Sequence, residues 1–106
     1  MLIGQCHCGD ARVSVSHSPE RVLECHCSIC GRYAALWSYY PVGEISLTGA
    51  TDTYAWGPEN IDFHRCSRCG CVMAWLPRGD HPTGGVNARM LEGFSLQLVE
   101  HTISDG

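Results

Sequence analysis

The cysteines of this chain fall into short clusters. The first cluster contains Cys6 and Cys8, the second contains Cys25, Cys27 and Cys30, and the third contains Cys66 and Cys69, with Cys71 just after it. The two cysteines of a Cys-x-Cys pair rarely form a disulfide with each other, whereas both Cys-x-Cys and Cys-x-x-Cys pairs can present two thiolates to one metal ion. The spacing therefore predicts that this chain binds metal, and it favours zinc.

Length and charge limit the alternatives. The chain has 106 residues, and we expect residues 1–106 to form a single domain whose small core would benefit from a stabilising metal. Its formal net charge is −4, and it has no run of Lys or Arg that could follow a phosphate backbone. We therefore expect no nucleic acid partner.

The N-terminal sequence has neither a basic segment nor a long apolar stretch, which predicts no secretory signal. No apolar run approaches the roughly 18 residues of a membrane span, so we expect no membrane association. We expect a cytoplasmic protein in a reducing compartment, where many cysteines indicate metal binding. A secreted protein stabilised by disulfides is the alternative.

The pattern of apolar residues predicts short strands separated by glycine, proline and polar turns. Residues 11–16 alternate apolar and polar side chains, as a half-buried strand does. The other predicted strands are 21–24, 35–40, 44–49, 51–56, 61–64, 72–76, 85–91 and 94–99, and the one helical candidate is about one turn within 29–35. The sequence therefore predicts a small, zinc-bearing all-β domain of mainly antiparallel strands in two packed sheets.

The ligand count predicts two zinc sites of different kinds. Zinc usually takes four ligands, so four sulfurs make a closed structural site and three leave a position open. We expect the first and third clusters to share one zinc, which would tie the first strand to a late one, and the middle cluster to bind a second. The alternative is that the middle cluster shares a metal with one of the others. The expected metal ligands are Cys6, Cys8, Cys66 and Cys69 for the first site, and Cys25, Cys27 and Cys30 for the second.

The fourth position of the second site decides whether chemistry is possible there. The candidates for it are water, a substrate sulfur, His26, His64 or Cys71. Buried unpaired cysteines often simply pack in a core, and we expect this for Cys71. The alternative is that Cys71 completes the second site and leaves no room for a substrate.

Several motifs together resemble one known family. They are Gly4-x-Cys6-His7-Cys8-Gly9, the run Cys25-His26-Cys27-Ser28-Ile29-Cys30, the segment Phe63-x-x-Cys66-x-x-Cys69-Gly70, and Val86-Asn87. In this order they resemble the glutathione-dependent formaldehyde-activating enzyme family, which includes relatives of centromere protein V. The resemblance implies a compact zinc-bearing β fold and a reaction that joins formaldehyde to the sulfur of glutathione, or the reverse carbon–sulfur cleavage. It also implies structural zinc at the first and third cysteine pairs and catalytic zinc at the middle cluster.

These observations predict a zinc-dependent carbon–sulfur lyase or synthase that acts on a small thiol adduct such as S-hydroxymethylglutathione. A general acid or base is needed for the hydroxyl proton, and histidine titrates in the useful range. The expected catalytic residues are Cys25, Cys27, Cys30, His26 and His64. The alternative for His26 is that it points outward and only shapes its turn.

Aromatic and basic residues near the second cluster have two interpretations each. Trp37, Tyr39 and Tyr40 could wall a pocket beside zinc, although packing in the core is the commoner role. Arg32 could bind a substrate carboxylate or could simply be solvated. The competing function is a non-catalytic, zinc-stabilised binding module, for which Trp37, Trp56 and Trp75 could be exposed anchors.

Overall fold

A computed structural model describes residues 1–105 of the chain, and within them short β-strands dominate. The strands are β1 (Leu2–Gln5), β2 (Ala11–Val15), β3 (Arg21–Cys25), β4 (Trp37–Pro41), β5 (Ile45–Gly49), β6 (Thr51–Tyr54), β7 (Ile61–Cys66), β8 (Val72–Pro77), β9 (Thr83–Asn87) and β10 (Glu100–Ser104). One short α-helix, α1 (Cys30–Tyr33), lies between β3 and β4, within the predicted helical turn. Single 3-10 turns cover Val42–Glu44, Ala88–Met90 and Leu96–Leu98. No helix among residues 1–105 is long and apolar enough to cross a membrane.

The strands form two sheets. The smaller has three strands in the order β1-β2-β5, and the larger has seven in the order β10-β3-β4-β9-β8-β7-β6. Neighbouring strands are antiparallel except for β10, which pairs in parallel with β3. The structure thus confirms the predicted all-β fold with mainly antiparallel strands in two packed sheets.

The main core lies between the sheets. The predicted alternation in β2 is confirmed, because Ala11, Val13 and Val15 are buried while Arg12 is exposed. These side chains pack in one cluster with Val86 and other buried residues of the larger sheet. A second, smaller cluster of buried residues contains Trp37, Phe63 and Val72, together with Cys30 and Ala35. This second cluster positions the middle group of cysteines.

Near the C-terminal end, one predicted strand is shorter than expected and another does not form. The predicted strand 85–91 ends at Asn87, whose side chain accepts a hydrogen bond from the Arg89 N–H and starts a 3-10 turn. The predicted strand 94–99 is instead another 3-10 turn, which begins where the Ser95 hydroxyl accepts from the Gln97 N–H. In both places, a side chain that binds the backbone locally competes with the extended conformation. The strand that does form, β10, was not predicted.

Candidate functional site

The first group of cysteines joins the turn after β1 to the turn between β7 and β8. Its ligand atoms, the Sγ atoms of Cys6, Cys8, Cys66 and Cys69, all lie within 4.8 Å of one another. Cys8 Sγ is 3.6 Å from both Cys6 Sγ and Cys66 Sγ. Because β1 belongs to the smaller sheet and β7 to the larger, this group links the two sheets.

Backbone N–H groups point at the sulfurs of the first group. The Ala11 N–H donates to Cys6 Sγ at 3.3 Å, and the Cys69 N–H donates to Cys66 Sγ at 3.5 Å. Hydrogen bonds from the backbone of Cys71 and of Cys8 lower the pKa of the Cys69 thiol to about 5. Such donors favour the thiolate, which is the form of cysteine that binds metal.

The second group consists of Cys25, Cys27 and Cys30, whose sulfurs also lie within 4.8 Å of one another. The strand β3 ends at Cys25, a tight turn carries Cys27, and α1 begins at Cys30. The turn is held because the Gly31 N–H donates to the Cys27 carbonyl at 2.9 Å. One short segment therefore brings three thiols together without help from a distant part of the chain.

Two donors contact the sulfurs of the second group. The Cys30 N–H donates to Cys27 Sγ, and the Trp37 indole N–H donates to Cys30 Sγ, each at 3.3 Å. Burial raises the pKa of the Cys30 thiol to about 12, the indole hydrogen bond opposes this shift, and the nearby charges of Cys25 and Cys27 add to it. Three thiolates this close repel one another, so a cation is needed to hold all three deprotonated. The donor set of both groups can accept a metal ion.

Within residues 1–105, the second group gains no fourth ligand atom from His, Cys, Asp or Glu. Cys71 lies elsewhere: it packs against the main core, and its carbonyl accepts from the Cys66 N–H at 2.9 Å. A hydrogen bond from the His7 backbone lowers the pKa of Cys71, but burial and the thiols of Cys69 and Cys6 outweigh it and raise this pKa. These neighbours place Cys71 beside the first group. The predicted packing of Cys71 in the core is therefore the better description, and Cys71 does not complete the second group.

The structure brings His26 to the second group. His26 follows Cys25 directly and lines a cavity of about 180 Å³ with Cys25, Cys30 and Arg89. Its Nε2 makes a short hydrogen bond to the carboxylate of Glu24, the other oxygen of which lies 3.0 Å from His101 Nε2. The hydrogen bond from His26 is the main reason why the pKa of Glu24 lies below its ordinary value.

The structure does not bring His64 to the three sulfurs. On β7, Phe63 packs against the cluster that contains Cys30, and the next residue, His64, points to the opposite face. His64 is instead paired with Thr53 and Ala74, and its Nδ1 lies 3.5 Å from the Thr51 hydroxyl. Burial lowers its pKa.

The aromatic residues near the second group divide between core and surface. Trp37 and Tyr40 are buried at 1% and 2% exposure, so the core interpretation is confirmed for both, whereas Tyr39 is 45% exposed. Trp37 is also buried too deeply to be an exposed anchor. Trp75 is half-buried and packs against Tyr39, and Trp56 is 49% exposed. Only Trp56 has the exposure that was expected of an anchor.

A groove of about 700 Å³ lies beside the turn between Cys27 and Cys30. It is lined by Ser28, Ile29, Arg32, Tyr33, Tyr54, Trp56 and Arg65. Sequence reasoning identified Arg32 as a candidate but missed Arg65 and Tyr54 as its neighbours. The place of Arg65 could not be read from alternation along β7, because the strand register shifts between His64 and Arg65.

Comparison with known proteins identifies the family of this chain. The sequence profile of the glutathione-dependent formaldehyde-activating enzymes matches residues 1–101. The chain belongs to this family. A curated relative from Halomonas elongata, named for the same family, is 33% identical over 92 residues, and the match covers 72% of this chain and 55% of the relative. The chain therefore spans about half the length of this relative.

A solved structure has the same fold. The crystal structure of a Rhodobacter sphaeroides protein matches with a TM-score of 0.83 and 24% sequence identity, and the match covers 96% of this chain and 99% of that one. At this identity the similarity concerns the fold alone.

Proposed function

We propose that this protein is a zinc-dependent carbon–sulfur lyase or synthase that forms or cleaves the adduct of formaldehyde with a small thiol such as glutathione. One observation carries the proposal: three cysteine sulfurs converge beside a cavity and a groove, and no fourth ligand among residues 1–105 joins them. Membership of the glutathione-dependent formaldehyde-activating enzyme family supports the choice of reaction. The proposed thiol substrate also suits a reducing compartment such as the cytoplasm, where thiols stay reduced.

The donor atoms fit zinc at both groups. Sulfur-only ligand sets within a few ångströms of one another suit zinc, which binds thiolates at about 2.3 Å. We assign a structural zinc to Cys6, Cys8, Cys66 and Cys69, and a catalytic zinc to Cys25, Cys27 and Cys30. Cys25, Cys27 and Cys30 would hold such a zinc with a coordination position left for a small thiol, where the metal would favour the thiolate form.

The reaction transfers one proton and forms or breaks one carbon–sulfur bond. In the forward direction, the thiol loses its proton, its sulfur bonds to the formaldehyde carbon, and the carbonyl oxygen becomes a hydroxyl. In the reverse direction, the hydroxyl proton leaves as the carbon–sulfur bond breaks. A group that holds this proton is needed in both directions.

His26 is our candidate for the group that holds this proton. Glu24 accepts the hydrogen bond from its Nε2, which leaves Nδ1 as the nitrogen that can take a proton. His26 lines the same cavity as Cys25 and Cys30. The remaining contacts position the thiols: the Trp37 N–H holds Cys30 Sγ, and the Cys30 N–H holds Cys27 Sγ. We assign no role to His64, because it points to the other face of β7.

The test is exchange between free and thiol-bound formaldehyde. We would mix ¹³C-formaldehyde and glutathione, which also combine without a catalyst, and measure the exchange rate by NMR with and without the zinc-loaded protein. We expect the protein to accelerate exchange, Cys27→Ser to abolish the acceleration, and His26→Gln to reduce it by about 100-fold. Equal rates with and without the zinc-loaded wild-type protein would refute the proposal.

A non-catalytic binding module is the second candidate, and the exposure of Trp56 and Tyr54 favours it. A cobalt-substituted sample separates the two functions, because cobalt absorption reports on its ligands. A change on addition of glutathione that disappears in Cys27→Ser supports the lyase. An unchanged spectrum with any thiol favours the binding module.

A further inference from the structure

The groove of about 700 Å³ beside the second cysteine group has the properties of a substrate-binding site. We propose that it binds the carboxylate-bearing body of the thiol substrate, and that Arg32 and Arg65 bind its carboxylates. This inference rests on the proposed function, because it assumes that the sulfur of the substrate lies at Cys25, Cys27 and Cys30. It adds the residues that select which thiol is accepted.

The groove lies beside the second cysteine group, because Ser28 and Ile29 of its lining stand between Cys27 and Cys30 in the chain. Tyr33, also in the lining, packs edge to face on Phe63 with 5.5 Å between ring centroids. Ile29, Tyr33 and Phe63 belong to the same packed cluster as Cys30. A thiol whose sulfur lies at the cysteines can therefore extend its body into the groove.

The charge of the groove favours an anion. Its lining contains two arginines and no acidic residue, although the whole chain carries a net charge of −4. Within residues 1–105, no carboxylate forms an ion pair with either arginine. Arg32 donates to the Ser28 carbonyl at 2.7 Å through one nitrogen, which fixes its position. Guanidinium groups bind carboxylates through paired hydrogen bonds, so both side chains suit that ligand.

Asp52 is the acidic residue that stands directly opposite Arg65 in the sheet. It is paired with Arg65 across β6 and β7, so both side chains are on the same face. No ion pair forms between them within 4.0 Å, and Asp52 does not line the groove. The Arg65 guanidinium is therefore available to an incoming carboxylate.

The size and the apolar lining of the groove suit a peptide-sized thiol. Small-molecule sites commonly measure about 300–1,000 Å³ and combine apolar walls with a few polar groups. Tyr54 and Trp56 form the outer wall and are about half exposed, so they can cover the aliphatic parts of a ligand. The cavity that contains Cys25 measures only about 180 Å³, which is too small for such a body but large enough for formaldehyde.

The experiment uses a ligand without a thiol, so that it tests the groove separately from the chemistry. The probe is γ-glutamyl-2-aminobutyryl-glycine, which has a methyl group where glutathione has its thiol. Binding to the zinc-loaded protein would be measured by calorimetry and by the change in tryptophan fluorescence. The variants are Arg32→Gln and Arg65→Gln, and the matched control is Arg12→Gln on the smaller sheet, which removes the same charge far from the groove.

We expect the wild-type protein and Arg12→Gln to bind the probe equally, and each groove variant to bind it about 3- to 10-fold more weakly. Raising the salt concentration should weaken binding to the wild type more than to the variants. A probe with both carboxylates amidated should bind the wild type and the groove variants equally. Absent binding to the wild type, or equal binding of the acidic probe by all four proteins, would overturn the inference.

The exchange measurement with formaldehyde keeps the two proposals distinguishable. If exchange is accelerated but probe binding does not depend on the arginines, then the groove assignment is wrong and the reaction stands. If probe binding depends on the arginines but exchange is not accelerated, then the carboxylate site stands and the proposed reaction is wrong.

Discussion

The two cysteine groups should contribute differently to stability, because they close chain segments of very different length. Replacing Cys66 and Cys69 with serine would disconnect the two ends of the first group, of which Cys8 and Cys66 are 58 positions apart. Replacing Cys27 and Cys30 would open a segment of about five residues within the second group. Each double variant removes one buried and one half-buried cysteine from the same Cys-x-x-Cys spacing, so the two are matched.

Loop closure gives the size of the difference. The chain-entropy relation for a cross-link predicts about 4 kcal/mol for the long segment and about 2 kcal/mol for the short one. Both variants also lose a metal site, and that loss is similar for the two. We therefore expect Cys66→Ser with Cys69→Ser to be less stable than Cys27→Ser with Cys30→Ser by about 2 kcal/mol. In a domain of this size that corresponds to a melting temperature lower by about 8 °C.

The assay is guanidinium unfolding followed by tryptophan fluorescence, with free zinc held at one concentration because a bound ligand changes apparent stability. Thermal unfolding followed by circular dichroism would check the result. The control is Cys71→Ser, a half-buried cysteine that belongs to neither group, and we expect it to cost less than about 1 kcal/mol. Equal destabilisation by the two double variants would show that the first group is not the cross-link we infer.

The remaining predictions concern packing and the sulfur contacts. Asn87→Ala should cost about 2–3 kcal/mol in denaturant unfolding, because its buried amide accepts from the Leu36 N–H just before β4 and donates to the Val72 carbonyl of β8. Gly85→Ala should destabilise by about 1–3 kcal/mol, since a Cβ there would lie 2.1 Å from Trp75 Nε1, whereas Gly43→Ala, with open space around it, should melt like the wild type. Trp37→Phe removes the donor to Cys30 Sγ, so on acidification the variant should release metal from the second group at a higher pH than the wild type.

The local features of the site were predictable from the sequence. Within each cysteine cluster, one turn determines where the sulfurs point, so spacing alone is informative. The four-ligand preference of zinc then suggested that the first and third clusters meet, and the structure places their sulfurs together. Metal binding by either group stays a prediction. The strand alternation of β2 was equally readable, because every second residue of this strand faces the core.

Features that depend on distant parts of the chain were not predictable. The pairing of β10 with β3 joins residues about 80 positions apart, and β10 has no alternating apolar pattern to reveal it. The direction of His64 depends on the strand register, which shifts between His64 and Arg65. A histidine close in sequence to a cysteine cluster can therefore point away from the site, while an arginine beside it contributes to the groove.

The same thiol chemistry can serve two purposes here because the surroundings of the groups differ. The first group lies where two sheets meet, and Cys6 and Cys66 are almost fully buried, so a metal there would have four protein ligands and no coordination position left for a substrate. The second group belongs to one segment at the end of β3, where a small cavity and a groove with two arginines both adjoin it. Ligand count and access, rather than the type of ligand, would thus distinguish a site that stabilises the fold from one that can hold a substrate.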